Sequence, residues 1–255
     1  MTPVFGAMDR GPAQLVLVRH GESIGNLADR AARDAGASRL DLDARDADVP
    51  LSDTGQEQAR ALGHHLRNLP EDGRPTVVVS SPYRRSADTA HLALRAAAVG
   101  LEVQRDERLR ERELGAFDGL TGTGIRAEFR VESVRRDHLG KFYYRPPSGE
   151  SWCDVVLRVR SFLRDVRTLP SSDRLWVFTH QAVITCFRYV LEGLDETTLM
   201  HIDRTVDVPN ASTTSYRRGA GDVLELVDYA SSAAVESSGG HTTQESEHAG
   251  RGGLS

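Results

Sequence analysis

The chain of 255 residues is 39% hydrophobic and 27% charged, which suits one substantial globular domain and excludes a fibrous or wholly disordered protein. A formal charge of -5 argues against a broad nucleic-acid-binding surface, so any basic patch must be local. No apolar run approaches the ~20 residues of a bilayer span. The opening MTPVFGAMDRGPAQ also lacks the basic start and apolar core of a signal peptide, so the expectation is a cytoplasmic protein with no membrane or nucleic-acid partner.

Residues 1–13 carry Gly and Pro without periodicity and read as a flexible leader. The run LVLV makes residues 14–19 a strand ending at Arg19 and His20, and residues 23–35 form a short helix stopped by Gly36. The acidic stretch SRLDLDARDADVP reads as an exposed loop. Asp53 with Gln56 predicts a capping box, and Ala59, Leu62, Leu66 and Leu69 give the following helix one apolar stripe. TVVVS at 76–80 is a second strand, and Pro82 suits the first turn of a helix over 82–98.

A short strand at 101–104 leads into the charged loop RDERLRERELG. A helix near 124–137 precedes the turn-rich KFYYRPPSG. The helix at 150–168 is the clearest, with Trp152, Val155, Val156, Val159, Phe162, Leu163 and Val166 on one face. LWVFT at 175–179 is a further strand, with a helix over 181–192 directly behind it. Residues 212–217 and 223–228, joined through Gly219 and Gly221, read as a hairpin. Cys153 and Cys186 fall in apolar helical patterns and read as buried free thiols. From residue 230 the chain is rich in Ser, Gly and Glu, predicting a disordered tail over 230–255 behind a catalytic domain at 14–229.

Strands alternating with helices predict an α/β three-layer sandwich, a mainly parallel sheet with helices on both faces. Such sheets bind ligands at the carboxyl ends of their strands, which makes the charged tips informative. The first tip carries Arg19 and His20. The second carries Ser80 and Ser81, with Arg84 and Arg85 one turn later. The third leads to Glu111 and Glu113, and the fourth ends at His180. Taken singly, each histidine reads as a strand-end side chain satisfied by backbone.

Taken together, the tips match phosphoryl transfer to histidine. Neutral imidazole is a good nucleophile at pH 7. Guanidiniums stabilise the charge that spreads over the phosphoryl oxygens. A carboxyl group supplies the leaving group's proton. On the residues alone, Glu111 and Glu113 are even candidates for that role. His64 and His65 are adjacent on a helix, hence on divergent faces, and make no metal pair.

The motif LVRHGESIGN at 17–26 resembles the signature of the histidine phosphatase superfamily, with its phosphoglycerate-mutase-like fold. SPYRRSADTA at 81–90, LRERELG at 109–115 and THQAVI at 179–184 are similar to its later motifs and follow in the family's order. The resemblance implies that His20 is the phosphorylated nucleophile and Glu111 the acid and base. It places Arg19, Arg85 and His180 around the phosphoryl group, with Asn26, Gly21, Ser23 and Gln181 binding substrate, and it implies no metal or other cofactor. HQAV at 180–183 and PSGES at 147–151 are similar to the bisphosphatase half of bifunctional fructose-bisphosphate enzymes. In that branch, Lys141 and Arg145 stand where basic residues approach the sugar phosphate. Trp152 and Asp137 depart from the pattern, standing where that group has tyrosine and a substrate-binding arginine.

The expected reaction is metal-independent hydrolysis of a phosphomonoester, with a small phosphorylated metabolite as partner and a phosphoprotein as the alternative. The rivals are a phosphomutase on the same site and a catalytically silent module that binds phosphorylated ligands.

Overall fold

A computed structural model describes residues 11–244. Its elements run in chain order β1 Gln14–Arg19, α1 Ile24–Asp34, α2 Asp53–Asn68, β2 Val77–Ser80, α3 Arg84–Ala97, β3 Val103–Arg105, α4 Gly122–Glu128, α5 Arg130–Leu139 and α6 Trp152–Val166. They continue with β4 Arg174–Thr179, α7 Gln181–Glu192, α8 Glu196–Thr205, β5 Thr213–Arg218, β6 Leu224–Ser231 and α9 Ala233–Glu236. Short 3-10 turns lie at Asp46–Asp48, Glu71–Gly73, Glu107–Leu109 and Gly115–Phe117.

Six strands form one sheet in the order β3-β2-β4-β1-β5-β6. β1, β2, β3 and β4 pair in parallel, while β5 and β6 add an antiparallel edge beside β1. Side chains alternate across a strand, and both faces here are apolar. Leu15, Leu17, Val79, Leu175 and Val177 join α6 and α7 in one core. Val16, Val18, Val78, Trp176 and Phe178 join α2 and α3 in the other. The predicted three-layer α/β sandwich is therefore the fold, with sheet and helices sharing two cores.

Several boundaries differ from expectation. Ser52, not Asp53, caps α2, accepting from the Gly55 amide at 3.0 Å. The third helical position is thus Gly55, and no capping box with Gln56 forms. A Cβ on Gly55 would lie 1.9 Å from the Glu22 carbonyl, so glycine there lets α2 press against the loop after β1. α3 starts after Pro82, with Tyr83 as its cap and the Tyr83 amide bound to the Ser81 hydroxyl at 3.2 Å. The helix predicted near 124–137 breaks at Phe129, whose ring turns in against Phe117 with centroids 5.1 Å apart. α8 escaped the sequence reading because Leu199 is its only buried apolar residue. Both cysteines are free thiols, Cys186 buried and Cys153 only half-buried.

The flanks are a larger correction. The leader expected over 1–13 is tied down at 11–13: the Ala13 amide donates to the Asp173 carbonyl at 2.7 Å, and Arg218 holds the Pro12 carbonyl. Residues 1–10 lie outside the described residues. The tail expected to be disordered over 230–255 is ordered through 244. β6 runs to Ser231, and α9 lays Val235 against Ala61 and Ala211. Two small apolar side chains in an otherwise polar segment suffice, because they meet a ready niche on α2. Residues 245–255 lie outside the described residues. Among the described residues no helix is long and apolar enough to cross a membrane.

Candidate functional site

Sheet register brings the tips together. β1 and β4 pair with Arg19 opposite Thr179, so His20 and His180 leave the sheet side by side. Their rings lie 5.1 Å apart, edge to face. β2 pairs with β4 as far as Ser80 opposite Phe178, which sets Ser81 beside the same pair. Arg19, His20, Arg85 and His180 are all buried.

The tautomer of His20 follows from its partners. Nδ1 lies 2.7 Å from the Gly21 carbonyl, an acceptor only, so Nδ1 carries the proton and Nε2 keeps its lone pair. The Arg85 Nε–H donates to that Nε2 at 3.3 Å. Burial first, then the Arg85 and Arg19 guanidiniums, hold the His20 pKa well below its ordinary value. The ring is therefore neutral at physiological pH. The backbone beneath it is pinned, with the His20 amide on the Thr179 carbonyl and the His20 carbonyl on the Ala211 amide.

His180 precedes the first turn of α7, so the amides of that helix face the same tips. Its Nε2 pairs with the Ser81 hydroxyl at 2.8 Å, its ring meets Tyr83 edge-on, and its buried Nδ1 has no hydrogen-bond partner among the described residues. Burial and the Arg85 charge lower its pKa also. Gln181 is buried behind it, and its Oε1 likewise has no hydrogen-bond partner among the described residues. Arg19 donates to the Val208 carbonyl.

Arg85 reaches outward to Asp46 on the loop between α1 and α2. Its Nη1 donates to the Asp46 carbonyl at 2.6 Å and pairs with Oδ1 at 2.8 Å, while Nη2 lies 3.3 Å from Oδ2. A backbone brace holds this arginine from behind: Thr89 donates to the Arg85 carbonyl and accepts from the Gly21 amide.

The two glutamates now separate. Burial raises the Glu111 pKa above the usual carboxylate value, against the pull of the Arg112 amide and Arg85. Glu113 folds back on its own loop, accepting from the Gly115 amide at 3.2 Å. That turn needs glycine, since Gly115 has φ +56° and a Cβ there would lie 2.2 Å from the Pro147 carbonyl. Asp118 is also raised, by burial and then by Asp46 and Glu113. Tyr83 is pushed up to about 12 by burial, with Asp46 next.

The remaining sequence candidates take up backing positions or pair with carboxylates. Ser23 and Asn26 form the capping box of α1, and Asn26 Oδ1 accepts from Ser23 and from Asn210. Gly21 contributes its backbone, and its Cα faces Gly55 where a Cβ would lie 2.5 Å from the Gly55 carbonyl. Lys141 is salt-bridged to Asp203 and lies over the Trp152 ring. Arg145 is exposed and forks onto Asp154 at the start of α6. The expectation that these two cations serve a sugar phosphate meets carboxylate partners instead. Asp46, Tyr83 and Asn210 were missed by sequence reasoning. Tyr83 lies inside the SPYRR motif and could have been found there; Asp46 and Asn210 sit in irregular stretches with no periodic signal.

The family model described as histidine phosphatase superfamily (branch 1) matches residues 15–228. A 2,3-bisphosphoglycerate-dependent phosphoglycerate mutase of Gloeobacter violaceus is 31% identical over 78% of this chain and 84% of its own length. A 6-phosphofructo-2-kinase/fructose-2,6-bisphosphatase of Gallus gallus is 30% identical over 72% of this chain but only 34% of its own. A phosphoglycerate mutase-like protein of Arabidopsis thaliana is 34% identical over 61% of this chain, which spans 53% of that relative. Among solved structures, a mycobacterial glucosyl-3-phosphoglycerate phosphatase complexed with VO3 superposes with a TM-score of 0.66 at 27% identity. That match covers 86% of this chain and 99% of the other.

Proposed function

Because this chain belongs to the histidine phosphatase superfamily, whose members are phosphatases or mutases, we propose that it hydrolyses a phosphomonoester through a phosphohistidine at His20. The observation that carries the reading is the His20 ring. Its Nδ1 is tied to the Gly21 carbonyl, and its unprotonated Nε2 sits beside the Arg85 guanidinium. In this reading Nε2 attacks phosphorus in line with the ester oxygen. Arg19, Arg85 and the first amides of α7 take up the charge on the equatorial oxygens. His180 joins them as a neutral donor through Nδ1, while the Ser81 hydroxyl donates to its Nε2.

Glu111, raised by burial, gives its proton to the leaving alkoxide as the P–O bond breaks, so the alcohol leaves neutral. Its carboxylate then takes a proton from water as that water cleaves the N–P bond, returning His20 and releasing inorganic phosphate. A small phosphorylated metabolite with one phosphoryl group suits the site better than a bisphosphate. The acidic Asp46 beside Arg85, and the pairing of Lys141 and Arg145 with carboxylates, support that choice.

The test is a hydrolysis screen over sugar phosphates, phosphoglycerates and phosphopeptides, with phosphate trapped on His20 by quenching in acid-free denaturant. Free phosphate with a labelled His20 is expected. The mutase reading, which the Gloeobacter relative favours, predicts an isomeric phosphoester instead. Loss of activity on chelation, or label on another residue, would overturn the mechanism.

A further inference from the structure

We infer that Thr243, at the end of the chain's described part, is a positioning residue for the nucleophile, acting through Asn210 and Gln58. The inference rests on the reading of His20 as the attacking group. Asn210 is fully buried and donates from Nδ2 to the His20 carbonyl at 3.2 Å and to Asn26 Oδ1 at 3.3 Å. Gln58, also buried, accepts from the Glu22 amide at 2.8 Å through Oε1. These two amides grip the HGE segment from either side, and each works only in one of its two flipped orientations.

Thr243 joins the two amides. Its hydroxyl donates to Asn210 Oδ1 at 3.1 Å and accepts from Gln58 Nε2 at 3.0 Å. Its carbonyl accepts the Asn210 amide at 2.9 Å, and the His241 carbonyl takes the Gln58 Nε2 as well. The His20 and His241 carbonyls only accept and the Glu22 amide only donates, so Asn210 presents Nδ2 to His20 and Gln58 presents Oε1 to Glu22. The hydroxyl completes both arrangements at once, donating to one amide and accepting from the other. Without it, Asn210 Oδ1 becomes a buried acceptor with no donor on that side, and a flip would turn that oxygen toward the His20 carbonyl. Such a flip repels the backbone directly under the ring. The docking of Val235 on α2 carries the segment to this place. The tail therefore belongs to the support of the site, although it contributes nothing to the strand tips themselves.

Thr243→Val keeps the shape and removes the hydroxyl, whereas Thr243→Ser keeps the hydroxyl. With p-nitrophenyl phosphate, Thr243→Val is expected to lower kcat about tenfold, the scale of a slightly misplaced reacting group. KM and melting temperature should stay near wild type, and Thr243→Ser should recover most of kcat. The 15N spectrum of the His20 imidazole, which needs no turnover, should shift in the valine variant and not in the serine one. Wild-type kcat and an unshifted His20 spectrum in Thr243→Val would overturn the inference. Equal losses of melting temperature and kcat in both variants would overturn it too, leaving only a structural role. If wild-type protein hydrolyses no ester, the proposed function fails, and the imidazole spectra alone decide this inference.

Discussion

The strand tips and the lobe formed by α4 and α5 are built on opposite terms. At the tips Arg19, His20, Arg85 and His180 are buried polar groups held largely by named partners. In the lobe α5 buries no residue, and Val131 and Val134 are 78% and 64% exposed. A buried polar group that loses its partner carries its full desolvation cost, so each tip side chain has essentially one geometry. Exposed side chains have little to lose when they change. The contrast suits the proposed chemistry to the buried sheet end and leaves the lobe free to vary.

The most severe way to break the contrast is His20→Ala. Turnover should fall by at least about 10⁴-fold, since in the proposed mechanism this removes the nucleophile and does not merely move it. The melting temperature should change by only a few degrees, because the ring is a minor part of the core. Comparable loss in a substitution on α5 would show that the lobe shares in the chemistry.

Next in size is Glu111→Gln. It should slow an alkyl phosphoester about 10²- to 10³-fold and p-nitrophenyl phosphate far less, since nitrophenolate leaves without a proton. Glu113→Gln should affect neither strongly, because its carboxylate serves its own loop. The selective loss appearing in Glu113→Gln would reverse the assignment, and its absence from both would point to Asp118. The same groups set the pH response. His20 is held below its ordinary 6.5, so the acid limb of kcat/KM should lie below that value. Glu111 is raised above 4.5, so alkyl-ester rates should fall as pH rises through its folded value.

For stability the signs differ between these groups. The depressed His20 and His180 contribute stability above pH 6.5, and it is lost as pH falls toward their folded values. The raised Glu111 contributes below 4.5, and its contribution is lost as pH rises through its folded value. Chemical denaturation across pH 4 to 8 measures the balance. Stability rising on acidification just below pH 6.5 would contradict the buried neutral histidines.

Asp46→Asn sharpens the comparison from the rim. The Asp46 carboxylate occupies the Arg85 fork, which in the proposed mechanism a phosphoryl group would share. Its neutralisation should tighten inhibition by inorganic phosphate about fivefold, equivalent to roughly 1 kcal/mol. Weaker inhibition would mean that Asp46 orients Arg85 toward phosphate instead of competing. The smallest effect belongs to the lobe, where Val131→Ser and Val134→Ser should each alter stability by no more than about 0.5 kcal/mol. A larger drop in denaturation midpoint would show that α5 covers an apolar surface in solution.

Much of this protein was legible in its residue order. LVLV, VVV and LWVF are apolar on both faces, which only a sheet covered by helices on each side satisfies, and the fold is that sandwich. RHG, SPYRR and THQ at strand ends placed His20, Arg85 and His180 on one edge, because parallel strands end together. The different settings of Glu111, raised by burial, and Glu113, bound to the Gly115 amide, follow the loop's path through Gly115, since alternate residues in an irregular segment have no periodic facing. Asp46 on Arg85, Asn210 on the His20 carbonyl and Thr243 between Asn210 and Gln58 are contacts across long stretches of chain. No local pattern encodes such meetings. The tail shows the same limit: its composition spoke for disorder, yet a niche beside Ala61 and Ala211 was enough to hold Val235, and composition cannot see a niche.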